Sequence, residues 1–525
     1  MAHAATDPRL ASLADDAIVW ASQHGLVVGL GAPPASAPAC ALVHAPLSVL
    51  PVAFPEARFE QAVGCMQLFS GLVDAVARDE DYLEQTLAQA AAFDDFTARL
   101  LSLLRDSRPA RRAAAAAGRE VVLGIHRSDY MLDGPSGGFL QVELNTIASS
   151  FACLSTLTGR MHRHLIGRAA GASDAARAAA EALAARLPVN KAMEEIAAAM
   201  AAAVEAAGGG VVLMVVQPGE RNAYDQQWLQ QTLWAAHGVR TVRLTLAQVG
   251  TRCEVEGGGG GGELRIRGEG GSKPQRVGLV YFRAGYAPGD YPSEAEWAAR
   301  LLIERSAAAK CPTAAYQLAG SKKIQQALAA LGAVERFVGE EGGAALRGLF
   351  AGLWSLDDPS APETAAVIAE AIASPERFVL KPQREGGGNN LYGEELVARL
   401  RQGGPGLGAF ILMQRILPPP QRSVLLRNGA WAEEESLSEL GIYGTFLRKG
   451  EEVLLNRNAG HLVRTKTSTS NEGGVAAGFA VLDSPLLARP GEGLLPAELE
   501  GGGPSAPGAA AGGGGVLAAV LRLMD

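Results

Sequence analysis

The chain of 525 residues is 48% hydrophobic and 19% charged, a composition typical of a globular protein with a sizeable core. Its formal net charge of -8 excludes a general nucleic-acid binder, and no apolar run approaches the ~20 residues of a membrane span, so we expect neither nucleic acid nor membrane as a partner. Scattered cysteines without a C-x-x-C pair indicate reduced thiols, and residues 1–16 lack the basic and apolar segments of a secretory signal. We therefore expect a cytoplasmic protein and leave a plastid location open.

The N-terminal part is predicted to contain two helical segments, with an extended, proline-marked stretch at 42–54 between them, and then a hairpin of two strands. Apolar residues recur at helical spacing over residues 10–25 and 59–105. Strands are predicted over 121–124 and 139–146, joined by a glycine-rich turn at 134–138. The turn formally matches the G-x-S-x-G nucleophile elbow, but an elbow joins a strand to a helix, so we interpret it as a hairpin turn.

Polar residues end the second of these strands. Alternation places Glu143 and Asn145 on one face, and their carboxylate and amide oxygens suit a divalent metal. A polar cluster that caps the following loop explains the same pattern, and these residues alone leave both possibilities open. Ser149 and Ser150 in that loop are candidates for contact with a polar ligand.

A strand, a helix and a strand are predicted at 211–216, 228–236 and 241–244, which together form an α/β unit. A further buried strand is predicted at 278–282. Because open sheets bind ligands at the carboxyl ends of their strands, polar residues at these ends form a candidate substrate site. These residues are Glu220, Asn222, Gln226, Arg283 and Tyr286.

Three other segments are interpreted as structural. His162 and His164 resemble a metal-binding pair, but a spacing of two on a helix points them to different faces, so we predict a surface pair. Residues 169–207 are predicted to form an alanine-rich helix. Residues 256–271 contain a glycine run without a core pattern and are predicted to be a surface insertion.

The stretch 378–392 carries the most specific functional pattern. A short apolar run predicts a buried strand that ends at Lys381, and Glu385, three glycines and two asparagines follow. The glycines allow a backbone nest for phosphate, the lysine supplies a point charge, and the glutamate is a hard ligand for Mg²⁺. We predict a phosphate loop that is not of the Walker A type, because Gly-Lys-Ser/Thr is absent.

The C-terminal part is predicted to contain strands at 410–414 and 444–447, with Glu439 in a polar turn between elements. Residues 490–515 are rich in glycine, proline and alanine and are predicted to be disordered. A short helix is predicted at 516–524.

Taken together, the candidate residues favour phosphoryl transfer to a carboxylate. The sequence shows no pattern typical of a Ser-His-Asp, Cys-His or zinc site that would favour another reaction. Mg²⁺ and cationic side chains would spread the charge of a triphosphate, and an amine would then displace phosphate. Such chemistry needs positioning and exclusion of water more than a strong base. The candidate cations are Lys322, Lys381, Arg464 and Lys466, and Arg127 and Ser150 join the substrate set.

The chain resembles eukaryotic-type glutathione synthetases, a family of ATP-grasp ligases. The matching stretches follow the family's order over most of the chain, and 381–395 is the most specific of them. They are residues 127–131, 143–151, 215–228, 281–286, 317–326, 378–395, 438–444 and 460–483.

This resemblance implies an α/β ATP-grasp fold with an inserted parallel α/β substrate-binding domain and a lid. It implies ATP-dependent ligation of γ-glutamylcysteine to glycine through an acyl phosphate, with two Mg²⁺ ions and a homodimer. The implied divisions are an N-terminal part with the metal-binding strand at 1–207, the substrate-binding domain at 208–315, a nucleotide-binding part with the lid at 316–488, and a tail at 489–525.

The resemblance also implies roles for individual residues. Metal ligands would be Glu143, Asn145 and Glu385, and catalytic cations would be Arg127, Lys381 and Arg464. Nucleotide contacts would be Lys322, Lys381, Glu385, Gly386, Gly387, Gly388, Asn389, Asn390, Tyr392, Met413, Gln414, Arg415, Ile416, Glu439, Lys466 and Glu472. Substrate contacts would be Arg127, Ser149, Ser150, Glu220, Asn222, Gln226, Arg283, Tyr286, Arg464, Val475 and Ala476.

The chain departs from the family pattern at few positions. Ala148 stands where a serine is common, Glu472 replaces an aspartate, and Gln414-Arg415 replaces a Glu-Lys pair. Two other functions stay open: a related ligase that uses β-alanine or serine as the amine, and a non-catalytic nucleotide-binding partner on the same fold. The segment Val475-Ala476-Ala477 is small but leaves little room, which favours glycine.

Overall fold

A computed structural model describes residues 7–30, 41–257, 261–268, 270, 272–383, 389–470, 474–475, 478–496, 499 and 515–524. The α-helices of these residues are numbered in chain order. They are α1 Pro8–Gln23, α2 Glu56–Arg78, α3 Glu80–Phe93, α4 Asp95–Ala116, α5 Ala152–Ala169, α6 Asp174–Ala184, α7 Ala192–Ala206, α8 Ala223–His237, α9 Leu246–Arg252, α10 Glu294–Arg305, α11 Ala314–Ala319, α12 Lys322–Leu328, α13 Glu335–Arg347, α14 Pro362–Ala373, α15 Gly393–Gln402 and α16 Gly515–Met524.

The strands are numbered in the same way. They are β1 Val27–Gly29, β2 Leu42–His44, β3 Leu47–Ser48, β4 Val52–Pro55, β5 Val121–Asp133, β6 Gly138–Asn145, β7 Val211–Val215, β8 Thr241–Leu244, β9 Cys253–Glu256, β10 Glu263–Ile266, β11 Gln275–Phe282, β12 Ala309–Cys311, β13 Leu353–Ser355, β14 Phe378–Pro382, β15 Phe410–Gln414, β16 Gln421–Arg427, β17 Ala430–Lys449, β18 Glu452–Thr467, β19 Ala480–Asp483 and β20 Pro485–Ala488. The predicted mixed α/β class is confirmed.

A large mixed sheet organises the described chain. Its main path runs β16-β3-β19-β18-β17-β5-β12-β11-β10-β9, with β6 beside β5 and with β7 and β8 beyond β11. The long strand β5 has three neighbours, because β12 pairs near its start, β6 pairs along its second half and β17 follows its other edge. Residues from distant parts of the sequence therefore meet along β5.

The two faces of β5 serve different purposes. Val121, Leu123 and Ile125 enter one apolar core, while Val122 and Tyr130 enter the core on the opposite face. Since side chains alternate along a strand, the first face continues with polar residues beyond residue 125. The predicted hairpin is confirmed, because β5 and β6 pair antiparallel across a turn.

A smaller antiparallel sheet, in the order β13-β15-β14, carries the strand that precedes the phosphate loop. It has its own apolar core, which includes Phe378, Leu380, Leu396 and Leu412. Phe378–Pro382 confirms the predicted buried strand and brings Lys381 to its end. Residues 384–388, the centre of the predicted phosphate loop, lie outside the described residues.

Two long predicted helices are divided in the structure. The segment 59–105 belongs to α2, α3 and α4, because Asp79 and Asp94 cap new helices by accepting the backbone N–H groups of Tyr82 and Thr97, both at 2.9 Å. Aspartate competes for backbone N–H groups in this way and favours N-cap positions. The segment 169–207 is likewise split into α6 and α7.

Three other predictions are wrong. Glu439 lies within β17 rather than in a turn. The segment 256–271 contains part of the hairpin of β9 and β10, whose Leu264 and Ile266 are buried, so its described residues add to the sheet edge and the core. Of the predicted surface pair, His164 is exposed, but His162 is buried, and its ring nitrogens lie 2.6 Å from Ser484 Oγ and 2.8 Å from Ser48 O.

The ends of the chain agree with their predicted structure where they are described. Helix α1 corresponds to the prediction at 10–25, and α16 corresponds to the prediction at 516–524. Most of the segment 490–515 lies outside the described residues. Among the described residues, no helix is long and apolar enough to cross a membrane.

Candidate functional site

An open cavity of about 620 Å³ lies where β5, β6 and β18 meet the smaller sheet. Twenty of the residues predicted for the site line it. They are Arg127, Glu143, Asn145, Ser149, Ser150, Glu220, Asn222, Arg283, Tyr286, Lys381, Asn390, Tyr392, Met413, Gln414, Arg415, Ile416, Glu439, Arg464, Lys466 and Val475.

The remaining predicted residues fall into two groups. Lys322 borders an adjoining small cavity, Gln226 is buried behind the wall, and Asn389 is exposed outside the lining. The others lie outside the described residues. They are Glu385, Gly386, Gly387, Gly388, Glu472 and Ala476.

One buried carboxylate, that of Asp129, organises the middle of the cavity wall. It accepts hydrogen bonds from Arg127 Nε at 2.6 Å and Nη2 at 2.8 Å. It also accepts from Asn145 Nδ2 at 2.9 Å and from Arg464 Nη2 at 3.0 Å. Asp129 is 1% exposed. Three predicted site residues from β5, β6 and β18 are thus fixed by one side chain that sequence reasoning did not single out.

The strand registers explain this meeting. In the β5–β6 pair, Arg127 stands opposite Asn145 and Asp129 stands opposite Glu143. On its other edge β5 pairs with β17, where Gly441 stands opposite Asp129. A Cβ atom at Gly441 would lie 2.6 Å from Asp129 Oδ1, so the absence of a side chain there makes room for the ion pairs.

Positive charges surround Glu143. Lys322 Nζ lies 3.7 Å from Glu143 Oε2, and Lys381 Nζ donates to the neighbouring carbonyl of Val142 at 3.1 Å. Burial opposes ionisation of Glu143, but the charges of these lysines, Arg464 and Arg127 outweigh it and lower its pKa to about 2. Glu143 is therefore an anionic oxygen donor at neutral pH.

The residues present fit a divalent metal. Asn145 uses its amide N–H groups on Asp129 and on the carbonyl of Arg127, which leaves its oxygen for a cation. That oxygen and the ionised Glu143 are hard ligands of the kind Mg²⁺ prefers. Within the described residues no group of three His, Cys, Asp or Glu side chains is placed to hold a metal, and the third predicted ligand, Glu385, lies outside them.

Glu439 and Arg464 extend the charged wall along β17 and β18. These residues stand opposite one another in the sheet, and Arg464 Nη2 donates to Glu439 Oε1 as well as to Asp129. Burial raises the pKa of Glu439, although Arg464 counteracts it. Burial lowers the pKa of Arg464, but Glu439 and Asp129 outweigh this effect and raise it. Arg464 is thus held as a cation between two carboxyl groups.

The loop 146–151, here called the serine loop, follows β6 at one end of the cavity and has a constrained backbone. Ala148 and Phe151 both have positive φ values, 51° and 71°, which non-glycine residues seldom adopt. The carbonyl of Ser150 accepts from Arg127 Nη1 at 3.3 Å and from the Tyr443 hydroxyl. Such strain persists only where surrounding contacts determine the conformation, so this loop is held in place by the cavity wall.

Asp225 provides a second organising carboxylate. It accepts from the backbone N–H groups of Phe151, Cys153 and Leu154 at 2.8, 3.0 and 3.2 Å, at the start of α5. Arg283 Nη1 lies 3.4 Å from the same carboxylate. Asp225 therefore joins the serine loop to Arg283, a predicted substrate contact.

Arg283 is suited to an anionic ligand. It is 5% exposed, and its Nε has no hydrogen-bond partner within the described part of the chain. Burial lowers its pKa, but the neighbouring Tyr281, Asp225 and Glu220 more than compensate, so the pKa is raised and the charge is kept. A buried donor that lacks a partner is costly, so a ligand carboxylate would satisfy it.

The end of the cavity away from the serine loop is formed by β14, β15 and the segment that follows β15. Met413 is buried, and Gln414 bonds to the backbone of Gly352 with both its backbone N–H and its side-chain oxygen. The guanidinium of Arg415 lies 5.7 Å from the ring centre of Tyr392. This combination of apolar and stacking surface suits the flat base of a nucleotide.

Sequence reasoning missed Asp129, Asp225 and Tyr443. Asp129 could have been found by strand alternation, because it lies two residues after Arg127 and so shares its face. Nothing local marks Asp225 or Tyr443, whose contacts span 71 to 74 and 293 positions of the chain. These long-range contacts depend on the tertiary arrangement.

The chain is similar in sequence to known proteins. The family model described as "Eukaryotic glutathione synthase, ATP binding domain" matches residues 7–487. The chain is 46% identical over 486 residues to a chloroplastic glutathione synthetase of Solanum lycopersicum, covering 90% of this chain and 84% of that protein. It is 39% identical over 487 residues to the glutathione synthetase of Homo sapiens, covering 91% and 97% of the two proteins.

One solved structure supports the fold independently. A glutathione synthetase-like effector from Globodera pallida, in its apo form, matches with a TM-score of 0.69 and 20% sequence identity. The match covers 92% of this chain and 98% of that one. Similarity at this level of identity shows the fold and carries no conclusion about the reaction.

Proposed function

The chain belongs to the eukaryotic glutathione synthase family and is an ATP-dependent ligase, and from that premise we propose how its own residues join γ-glutamylcysteine to glycine. The observation that carries the proposal is the cavity wall in which Asp129 fixes Arg127, Asn145 and Arg464 beside an ionised Glu143. In this proposal the wall brings an anionic metal ligand next to two cations that would contact the substrate.

Glu143 and Asn145 would hold Mg²⁺, with Glu385 as the third ligand, and two ions would be bound in one site. When bound, Mg²⁺ and ATP supply a phosphoryl group whose charge is partly neutralised. Lys381 and Lys322, which flank Glu143, would contact the phosphate oxygens as point charges. The apolar and stacking surface around Met413 and Tyr392 would hold the base.

Arg127 and Arg464 would bind the dipeptide carboxylate that receives the phosphoryl group and stabilise its negative charge. Asp129 fixes both guanidinium groups, so little reorganisation is needed when negative charge develops in the transition state. Arg283 and Ser150 would bind the γ-glutamyl end and orient the dipeptide. The amine of glycine would then attack the acyl carbon of the acyl phosphate beside Val475, so that the amide bond forms while phosphate leaves and the amine loses a proton. Water must be excluded from this space.

The assembly and the location of the protein are parts of the same proposal. We expect a homodimer, for which the molecular mass from sedimentation equilibrium is the test. We expect a cytoplasmic location. The relatives from Solanum lycopersicum and Arabidopsis thaliana are chloroplastic by name, so a fluorescent fusion observed in the source cells would decide between cytoplasm and plastid. The division at residues 207, 315 and 488 also stays a proposal.

An ADP-release assay tests the reaction. We expect ADP release that requires γ-glutamylcysteine, glycine and Mg²⁺ together, with glutathione identified by mass. One methylene changes the free energy of substrate discrimination by about 1–3 kcal/mol, so glycine should be turned over measurably faster than a larger amine. Equal turnover with β-alanine or serine would therefore contradict the assignment of glycine. Nucleotide binding without turnover would identify a non-catalytic partner protein instead.

A further inference from the structure

Gln226 is a predicted substrate contact, and its position in the structure indicates a further role. The side chain is fully buried and does not line the cavity. Its Nε2 donates to Glu220 Oε2 at 3.3 Å, and its Oε1 accepts from Arg243 Nη2 at 2.8 Å. Gln226 therefore connects a carboxylate that lines the cavity to an arginine that does not.

Arg243 is an unusual arginine for a half-buried position. It lies on β8, and its other hydrogen bond within the described part of the chain is a weak one, from Nη1 to the sulfur of Met214 at 3.7 Å. Among the described residues no carboxylate lies within ion-pair distance of it. Half-buried charges are normally paired, so holding Arg243 here costs free energy that another function must offset.

The charges that surround Arg243 belong to the substrate end of the cavity. Burial and the neighbouring charge of Arg283 lower the pKa of Arg243, while Glu220 raises it. Glu220 is itself fixed by a second bond, since its Oε1 accepts from the backbone N–H of Asn222 at 2.8 Å. Its two oxygens are thus held from different directions, and the carboxylate presents a defined face to the cavity.

We propose that Arg243 is a positioning residue that orients Gln226, which in turn holds the Glu220 carboxylate to receive the α-ammonium group of the γ-glutamyl moiety. This inference rests on the proposed function, because it assumes that the dipeptide occupies the cavity. Arg243 touches no substrate in this scheme and acts through Gln226. A carboxylate held in place favours ligands that carry an ammonium group, because a ligand without this group leaves the half-buried charge of the carboxylate without a partner.

The test compares R243M with the matched control R240M, which removes the same charge from an exposed position close by. Two ligands are used: γ-glutamylcysteine, and glutaryl-cysteine, which lacks only the α-amino group. In R243M we expect the KM for γ-glutamylcysteine to rise about tenfold, the loss typical of one hydrogen bond to a charged group. The kcat and the KM for ATP should change little, and R240M should behave like the wild type.

The substrate comparison separates positioning from general stability. In R243M the KM for glutaryl-cysteine should change much less than that for γ-glutamylcysteine, and R243K, which keeps a donor and the charge, should restore part of the loss. Equal penalties on both ligands, or an unchanged KM for γ-glutamylcysteine, would overturn the inference. If R243M does not fold, R243Q carries the same comparison. Failure of the wild type to release ADP would instead refute the proposed function.

Discussion

Arg464 and Asp129 lie on β18 and β5, two strands that do not pair, yet Arg464 Nη2 lies 3.0 Å from Asp129 Oδ2. The side chains reach one another over the intervening strand β17. Gly441 on that strand stands opposite Asp129 and presents no side chain to block the contact. A glycine on one strand thus permits an ion pair between its two neighbours.

Replacing Gly441 by alanine is expected to disturb this contact. The added Cβ would lie 2.6 Å from Asp129 Oδ1 and 2.8 Å from Arg127 Cδ, closer than real Cβ atoms approach. We expect G441A to lower the free energy of unfolding by about 1–3 kcal/mol, the usual cost of overpacking, and to lower kcat/KM at least tenfold. Steady-state kinetics and denaturant unfolding measure the two effects.

G444A is the matched control for this variant. Its Cβ would meet Ser70 Oγ at 2.7 Å and Met66 Cε at 2.8 Å, on the side of β17 that packs against α2. It should lose similar stability while keeping a near-normal kcat/KM. Equal losses of activity in both variants would contradict the role assigned to Gly441.

Replacing Asp129 by asparagine tests the carboxylate itself. The change keeps the shape but leaves Arg127 and Arg464 without their shared anion, and breaking a buried pair costs about 3–5 kcal/mol. We expect kcat/KM to fall by about a hundredfold or more, with a lowered Tm. D74N is the control, because Asp74 is also buried and paired, with Arg448 Nε at 2.9 Å, away from the cavity lining. D74N should lower Tm and spare the KM values.

Replacing Glu143 by glutamine tests the metal ligand. The change removes an anion from among four cations that lower its pKa to about 2, so the fold should be kept but the Tm should fall, as it does when one partner of an ion pair is lost. We expect turnover to fall at least about a hundredfold and the Mg²⁺ concentration for half-maximal activity to rise. Glu435 also lines the cavity, so E435Q serves as the control. Wild-type Mg²⁺ dependence in E143Q would refute the ligand assignment.

Buried histidines make the stability depend on pH. Burial lowers the pKa of His126 and His461 to about 3 and that of His162 to about 4. In the unfolded chain a histidine is exposed to water and its pKa is near 6.5, so the unfolded state takes up more protons than the folded state between pH 6.5 and about 3. The stability linked to these histidines is therefore fully present above pH 6.5 and is lost as the pH falls towards 3.

Calorimetry between pH 7 and pH 4.5 measures this loss as a falling Tm. Asp483 acts in the opposite sense, because burial raises its pKa to about 7 and favours the folded state at lower pH. On acidification H162Q should lose less free energy of unfolding than the wild type, by at most about 3 kcal/mol, which is the equivalent of the pKa shift of His162. An identical decline of Tm in H162Q and the wild type would contradict the prediction.

Local patterns were sufficient to predict part of the site. Strand alternation placed Glu143 and Asn145 on one face, and both line the cavity. The apolar run before Lys381 is a buried strand that ends at the cavity. These predictions hold because each depends on only a few neighbouring residues and on the period of a strand.

Predictions failed where long-range packing decides. The polar surroundings of Glu439 suggested a turn, but β17 continues through them because β18 pairs with it on one side. His162 was predicted to be on the surface, but β3 and the residue after β19 supply its hydrogen-bond partners. The role of Gln226 as a substrate contact stays a prediction, and only the tertiary arrangement shows that it is buried and bonded to Glu220, which lines the cavity.

The position of β5 in the sheet has a consequence for synthesis on the ribosome. Its edge is covered by β17, which begins at Ala430, so this pairing waits until about 300 more residues have been translated. At 5–20 residues per second this takes tens of seconds. During that time the nascent chain carries an apolar strand with an unsatisfied edge, a form prone to self-association. We therefore expect nascent chains that end before β17 to be held by chaperones and to aggregate when released without them.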